Sequence, residues 1–294
     1  MGLVYVCFWL YVTDEVIYMF MRLKDGKNKV LTLSYDDAVV QDVRMIELMN
    51  RYGLKGTFNI NTGAYYPEDK GRKHSWHMRM RLSEARDLYI GSGQEIAVHT
   101  RTHPHLEWLS APDIILEVME DRKNIEKQYG TIARGMAYPY GTYNDFVVDV
   151  LGKCGICYSR TIHSTERFSF PENWLTLHPT CHHHNPRLME LARIFAEKEP
   201  TYDAECQMFY LWGHTYEFDN ENNWEIIEKF AQYIGGRENI WYATNIEIYD
   251  YVKAYENLQV SVDHSIVYNP SAMDVWFSEG GKIYCVKSGQ TIHI

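Results

Sequence analysis

The feature that most constrains the fold is an alternation of short apolar, β-branched segments with longer segments of helical spacing. It runs through most of the 294-residue chain. "KVLTLSYDD", "KGTFNIN" and "QEIAVHT" have the composition of strands, and "VQDVRMIELMNRYG" has the apolar spacing and terminal glycine of a helix. Repeated strand–helix units predict a parallel sheet, most economically closed or nearly closed into a barrel.

The pattern changes near residue 257. "LQVSVDHSIVYNP", "DVWFS" and "KIYCVKSG" are short and alternating, with "EGGK" as a hairpin turn. We therefore predict three parts: an N-terminal extension (1–26) that forms a strand, a catalytic barrel (27–256) and a small antiparallel β appendage (257–294).

The extension contains the apolar run "LVYVCFWLYV" at residues 3–12. This run has about half of the ~20 apolar residues that a membrane-spanning helix needs. No Lys or Arg precedes it, and Thr13, Asp14 and Glu15 follow it instead of a small-residue cleavage site, so it is a poor signal peptide. The sequence thus predicts no membrane span and favours a cytoplasmic over a cell-surface location.

The charge of the chain bears on its partners. Asp and Glu number 39 against 29 Lys and Arg, giving a formal net charge of −10. A nucleic-acid groove needs clustered positive charge, so this balance argues against a nucleic-acid partner. The sequence does not define an oligomeric state.

Several polar residues that could take part in catalysis or ligand binding stand at the ends of predicted strands. They are Asp36 and Asp37, His99, Tyr140 and His214. In parallel α/β folds the carboxyl ends of the strands meet at one face, where active sites form. The sequence therefore predicts a site at that face.

The segment "EIAVHTRTHPHL" offers metal ligands. On a helical turn His99 and His103, four residues apart, could converge on one ion, whereas His105 would point elsewhere. The adjacent carboxylates Asp36 and Asp37 repel each other, and a cation would relieve that repulsion. One Asp with two His makes a three-ligand site for a hydrolytic divalent metal, and the other Asp can take a proton from its water.

A second histidine run, "CHHHN" at residues 181–185, is interpreted differently. Three consecutive histidines of an extended chain cannot all point to one place. One of them could line the cleft or bind a second ion, but a solvated loop is the favoured interpretation.

"LTLSYDD", "HTRTHPHL" and "AYPYG" resemble motifs one, two and three of the polysaccharide deacetylases, the NodB-homology or carbohydrate esterase 4 group. Order and intervals agree over roughly residues 28–255. The resemblance implies a distorted (β/α)7 barrel. It also implies that Asp37, His99 and His103 bind a divalent metal, usually Zn²⁺ and sometimes Co²⁺ or Ni²⁺, with Asp36 as general base.

The same resemblance implies further roles. The backbone N–H of Tyr140, after Pro139, would face the acetyl oxygen, and both residues would belong to the substrate site. His214 in "YLWGHTYEFD" would be the general acid, and Trp174 is a candidate pocket wall. The sequence departs from the family at Ala137, where an arginine often orients the catalytic Asp. Arg134 and Arg160 are the candidate replacements.

By resemblance, the protein is a metal-dependent hydrolase of carbon–nitrogen bonds other than peptide bonds. Its partner would be an acetylated carbohydrate, and metal-bound water activated by Asp36 would remove the acetyl group from an N-acetylated sugar. Two alternatives stay open: a metal amidohydrolase or O-acetyl esterase of a small substrate, and a carbohydrate-binding relative without activity. The alanine at position 137 keeps the last of these under consideration.

Overall fold

The computed structural model describes residues 19–72, 75–198 and 206–294. The apolar run at residues 3–12, for which a strand was expected, lies outside them. No helix in the described ranges is long and apolar enough to cross a bilayer.

Fourteen strands lie in the described part of the chain. They are β1 (Phe20–Arg22), β2 (Lys29–Asp36), β3 (Gly56–Ile60), β4 (Glu95–Val98), β5 (Gly135–Ala137), β6 (Tyr158–Arg160), β7 (Cys181–His182), β8 (Gln207–Gly213), β9 (Ile240–Tyr242), β10 (Gln259–Val260), β11 (Ile266–Tyr268), β12 (Val275–Glu279), β13 (Lys282–Val286) and β14 (Thr291–His293).

Eight α-helices connect or follow them in the same ranges. They are α1 (Asp42–Tyr52), α2 (Leu82–Tyr89), α3 (Ala111–Tyr129), α4 (Asp145–Lys153), α5 (Leu188–Glu197), α6 (Thr215–Asn220), α7 (Glu225–Ile234) and α8 (Asn245–Glu256). Glycines with positive φ, Gly53 and Gly130, end α1 and α3 as the sequence predicts.

A curled parallel sheet forms the centre of the molecule. Its strand order is β6-β5-β4-β3-β2-β8-β7, and every pairing is parallel. The long, wholly buried β2 pairs with β9 through residues 29–31 and with β3 through residues 33–36. Such a strand is expected where helices cover both faces of a parallel sheet.

The two ends of this sheet approach each other. Backbone hydrogen bonds join Leu177 to Ser159 and Thr161 at β6, and the N–H of Thr180 then donates to Tyr210 of β8. The predicted fold class is confirmed: the protein has a (β/α)-barrel-like sheet with additional antiparallel sheets.

The antiparallel sheets are small. One has the order β1-β12-β13 and the other β10-β11-β14. Residues 20–22 of the N-terminal extension thus pair with a strand of the appendage. The hydroxyl of Tyr251 in α8 donates to the Arg22 carbonyl (2.7 Å) and accepts from the Trp276 N–H (3.0 Å), which fixes this sheet to the barrel. The boundaries at residues 27 and 257 stay predictions.

Candidate active site

A cavity of about 410 Å³ opens at the carboxyl ends of the parallel strands. The lining includes all six residues that were predicted to bind the metal or to take part in catalysis, but not His105. The lining residues are Asp36, Asp37, Trp76, His77, Arg79, His99, His103, Tyr138, Tyr140, Gly141, Ile162, Trp212, His214 and Tyr216.

Asp37, His99 and His103 come together on one side of the cavity. One ligand atom from each lies within 4.8 Å of the other two, and His99 Nε2 is 3.9 Å from Asp37 Oδ1. The convergence does not come from a helical turn, as the sequence argument assumed. It comes from a loop in which Thr100 and His103 both have positive φ (64° and 63°).

Positive φ is common around this cavity. Asp37 and Ala38 after β2 (φ 87° and 52°) and Tyr140 after β5 (φ 57°) also adopt it, beside Thr100 and His103. Non-glycine residues in this region carry backbone strain, which persists where the surrounding structure enforces it, often at functional sites. The loops after β2, β4 and β5 therefore adopt unfavourable backbone conformations that direct these side chains into the cavity.

The protonation states of the three side chains suit a divalent metal. His99 Nδ1 lies 2.8 Å from the Ala137 carbonyl oxygen and must donate to it, which leaves the Nε2 lone pair facing Asp37. Burial lowers the pKa of His99, and it lowers the pKa of His103 to about 4. Both imidazoles are thus neutral at neutral pH, as ligation requires.

Asp37 supplies the charge of the set. Burial raises its pKa, but the His77 contact and Arg79 outweigh burial and hold the pKa well below its usual range. Arg79 Nη2 lies 2.8 Å from Oδ1, and His77 Nε2 lies 3.1 Å from Oδ2. Each carboxylate oxygen keeps a second lone pair. One carboxylate and two neutral imidazoles fit Zn²⁺ or a similar ion.

Asp36 faces the same cavity with different partners. The buried guanidinium of Arg160 donates to Oδ2, and Asn59 Nδ2 donates to Oδ1 at 2.9 Å. Burial raises the pKa of Asp36, but Arg160, His99 and His214 outweigh burial and leave the pKa lowered. Asp36 is therefore an oriented, ionised carboxylate.

Of the two candidate arginines, Arg160 takes the position beside Asp36. Arg134 is paired elsewhere, with Asp250 at 2.6 and 3.0 Å. Arg160 in β6 is the register partner of Ala137 in β5, so the arginine is displaced by one strand from the expected position. Its guanidinium carbon also lies 4.4 Å from the centre of the Trp212 ring, which favours the buried charge.

His214 stands across from Asp36 at the start of α6. Its Nε2 is 3.8 Å from Asp36 Oδ2, and its Nδ1 is 3.4 Å from Glu217 Oε1. Burial lowers the pKa of His214, but Glu217, Asp36 and Asp37 outweigh burial and raise it. Glu217 also accepts the His214 N–H (3.1 Å). The sequence motifs did not identify Glu217 as a site residue, although "HTYE" has the spacing of a helix capping box.

An aromatic stack leads away from the cavity. The Tyr140 ring is half exposed and lies parallel to His105, with 3.9 Å between ring centres. His105 in turn stacks on the exposed Trp108 at 4.1 Å. His105 therefore does not join the ligand set but links Tyr140 and Trp108 in one surface, which we call the aromatic stack.

Comparison with known families agrees with this site. The polysaccharide deacetylase family model matches residues 23–159, which carry Asp36, Asp37, His99, His103 and Tyr140. The sequence of residues 23–159 is thus similar to the polysaccharide deacetylase family. No curated protein matches the sequence.

The solved structures that are similar to this chain are distant in sequence. A Mycobacterium smegmatis protein provisionally assigned as a polysaccharide deacetylase is 13% identical, with a TM-score of 0.56 over 80% of this chain and 94% of its own. This likeness concerns the fold.

Two further similar structures have lower scores. The deacetylase PplD of Streptococcus pyogenes, in complex with acetate, is 21% identical (TM-score 0.43, 49% of this chain). The CE4 family pseudoenzyme BA3943 of Bacillus anthracis is 16% identical (TM-score 0.47, 76% of this chain). This chain covers 61% and 66% of these two proteins, less than two thirds of each.

Two predicted substrate residues, Trp174 and Pro139, do not line the cavity. Trp174 is 8% exposed, packs edge-to-face on Tyr249 (5.3 Å) and borders a separate cavity of about 760 Å³. The structure does not bring it to the site. Pro139 is buried in the turn beneath Tyr140. Trp76, Trp212 and Tyr216 supply the aromatic wall instead.

Proposed function

We propose that the protein is a metal-dependent hydrolase that removes acetyl groups from N-acetylated sugars. One observation carries the proposal: a single cavity holds the set of Asp37, His99 and His103, the ionised Asp36, and His214 with its raised pKa. A base, an acid and a site for a Lewis acid are the three components that metal-assisted hydrolysis needs.

Asp37, His99 and His103 would hold the divalent metal, with Zn²⁺ favoured by the donor set. When bound, the ion supplies Lewis-acid chemistry, which lowers the pKa of water and polarises a carbonyl. The hydrogen bond from His99 Nδ1 to Ala137 keeps the ring nitrogen Nε2 turned toward this site.

Asp36 is the general base. Its carboxylate is ionised and held by Arg160 and Asn59, so it can accept a proton from the water that attacks the acetyl carbon. Fixing the carboxylate before the reaction avoids the entropy loss of orienting it in the transition state.

His214 is the general acid. Its pKa is raised chiefly by the Glu217 contact acting against burial, which favours the protonated ring. In the second half of the reaction it donates that proton to the sugar nitrogen as the carbon–nitrogen bond breaks. Glu217 holds the ring by its Nδ1 side, which leaves Nε2 toward the cavity.

The turn at Pro139 and Tyr140 and the aromatic stack suit a sugar substrate. The Tyr140 N–H would stabilise the negative charge on the acetyl oxygen, since a backbone donor in a fixed turn needs no reorganisation. The stack of Tyr140, His105 and Trp108 offers flat apolar faces, which pack against the apolar faces of pyranose rings.

Acetate release from N-acetylglucosamine oligomers tests the proposal. We expect chelation to abolish release and Zn²⁺ or Co²⁺ to restore it. Asp36→Asn should lower kcat by about 100-fold or more, because the base is lost. Asp87→Asn, which changes an exposed aspartate of α2, is the matched control and should keep full activity.

The possible results separate the alternatives. Unchanged activity after complete metal removal, or full activity of Asp36→Asn, would contradict the proposal. Release of acetate from O-acetyl esters alone would favour an esterase of small substrates. Binding of oligomers without any release under all metal conditions would favour a carbohydrate-binding protein.

A further inference from the structure

The histidine run at residues 182–184 forms a cluster with Glu217. Each of these four residues offers a ligand atom that lies within 4.8 Å of the other three. The expectation of a solvated loop is wrong, because His183 is fully buried and His182 and His184 are partly buried. β7 ends at His182 and the chain then turns, with the Asn185 N–H donating to the His182 carbonyl at 2.9 Å. The turn places the three ring centres 4.2–5.1 Å apart.

Two separations within the cluster are close to those of a tetrahedral cation site. Glu217 Oε2 lies 3.2 Å from His182 Nε2 and 3.1 Å from His183 Nε2. Four ligands around Zn²⁺ at 2.0–2.1 Å are roughly 3.3–3.4 Å from one another. Glu217 and two of the imidazoles therefore already lie near the separations that a bound ion would impose, and all four ligand atoms lie within 4.8 Å of one another.

His183 is the most informative member. Its side chain is 0% exposed, and neither ring nitrogen makes a well-aligned hydrogen bond to any described residue, although Glu217 is close. A buried polar group without a partner is costly and needs an explanation. A cation between His183 Nε2 and Glu217 would give Nε2 the partner that it lacks, whereas Nδ1 packs against Gly213 and gains none.

His184 shows the arrangement of a ligand with an outer partner. Its Nδ1 lies 3.5 Å from Glu221 Oε1, whereas its Nε2 is buried and makes no hydrogen bond within the described ranges. Histidine ligands commonly donate their second ring N–H to a carboxylate, which fixes the tautomer and the ring direction. This leaves Nε2 of His184 free for a cation.

We propose that His182, His183, His184 and Glu217 form a second binding site for a divalent cation, preferentially Zn²⁺. Three imidazoles and one carboxylate are a borderline-soft donor set that suits this ion. One contact must change on binding: the His184 N–H donates to His182 Nδ1 (3.2 Å), so a proton has to move from Nε2 to Nδ1 and this hydrogen bond has to break.

The second site is linked to the cavity through Glu217. One carboxylate oxygen of Glu217 faces His182 and His183, and the other faces His214. A cation held by Glu217 would draw its charge away from His214. The cluster is therefore placed to act on the ring that faces Asp36 without touching substrate.

Metal content of the tag-free full chain tests the proposal. After loading with Zn²⁺ and removal of excess, the His99→Gln/His103→Gln variant, which lacks the first ligand set, should still retain about one equivalent per chain. Adding His182→Gln and His184→Gln should remove that equivalent. Both changed side chains are partly exposed, so the fold should survive, and near-UV circular dichroism checks this.

Two controls complete the design. His163→Gln/His293→Gln, at exposed positions, should leave metal content unchanged in the same background. With Co²⁺ in place of Zn²⁺, the visible spectrum should show tetrahedral nitrogen and oxygen ligation that disappears with His182→Gln/His184→Gln. Zn²⁺ retention no higher than in a chelated blank, or retention that survives these two changes, would overturn the proposal. Neither result depends on deacetylase activity.

Discussion

At the residue scale, the cavity at the carboxyl ends of the strands differs from the expected motif in the position of one arginine. Position 137 carries alanine, and Arg160, its register partner on the next strand, reaches Asp36 instead. A buried cation is costly unless it is paired and hydrogen-bonded. The ionised Asp36 pairs with Nη2 and the Trp212 ring faces the guanidinium, whereas Nε and Nη1 make no hydrogen bond to any described residue. The displaced arginine keeps the carboxylate charged.

Arg160 is therefore expected to be a positioning residue that acts through Asp36. Arg160→Met should lower kcat by about 10-fold or more with little change in KM, because Asp36 loses its orienting partner. It should also lower the free energy of unfolding by about 3 kcal/mol, since one charge of a buried pair is left alone. Acetate-release kinetics and urea unfolding measure the two effects.

A double variant gives the sharper test. Arg160→Met/Ala137→Arg returns the arginine to the strand where the family motif has it and should recover part of kcat. Arg134→Met, which breaks the partly exposed pair with Asp250, is the control and should keep kcat. Stability loss without any loss of kcat per folded molecule would mean that Arg160 is structural only.

The sequence could place Asp36, Asp37, His99, His103 and His214 because each stands at a strand end or in a short motif. It could not choose between Arg134 and Arg160, since that depends on which strand lies beside β5. It did not find Glu217, Arg79 or His77, whose roles arise from contacts across elements.

At the scale of elements, strand β8 and the histidine turn fit together at one glycine. A Cβ on Gly213 would lie 2.0 Å from His183 Nδ1, so the His183 ring packs directly on this backbone. Periodicity predicted β8 correctly. It could not predict this contact, because the contact depends on the pairing of β7 with β8. That pairing places His183 beside Gly213.

Gly213→Ala should therefore be destabilising. The methyl group has to displace a buried imidazole that is already packed against Phe218 (ring centres 4.1 Å apart). We expect a loss of about 1–3 kcal/mol in the free energy of unfolding, as for other overpacked sites. Urea unfolding measures this loss.

Gly71→Ala is the matched control, because a Cβ there meets nothing within 4 Å and the glycine does not have positive φ. It should be neutral or slightly stabilising, through reduced freedom of the unfolded chain. Equal stability of the two variants would show that His183 moves aside without cost.

At the scale of the whole molecule, carboxylates that are buried (Asp42, Asp121) or partly buried (Glu95) join elements on both ends of the barrel. Burial raises the pKa of Asp42, Glu95 and Asp121 to about 7 in each case. The alternation of strands and helices predicted the parallel sheet, but not these links, which depend on which helix end meets which strand. Glu95 shows this, since it stands at the amino end of β4, away from the cavity.

Glu95 ties three elements together. It accepts hydrogen bonds from Tyr158 OH in β6 (2.7 Å), Thr57 Oγ1 in β3 (2.8 Å) and the Ile246 N–H at the start of α8 (2.9 Å). Burial raises its pKa from the ordinary glutamate value of 4.5 to about 7, although these donors act to lower it. The folded protein thus holds a proton on Glu95 that the unfolded chain releases near pH 4.5.

Stability should consequently fall as pH rises. Between about pH 4.5 and about pH 7 the folded state binds more protons than the unfolded state, so the contribution of Glu95 is fully present below this window and is lost as pH rises through it. The full effect is on the order of 3 kcal/mol.

Glu95→Gln, which imitates the protonated form, should gain stability relative to wild type between pH 5 and pH 8. Urea unfolding at both pH values measures the change, and Glu238→Gln at an exposed position is the control. A difference between wild type and Glu95→Gln that stays constant with pH would mean that Glu95 is ionised in the folded barrel.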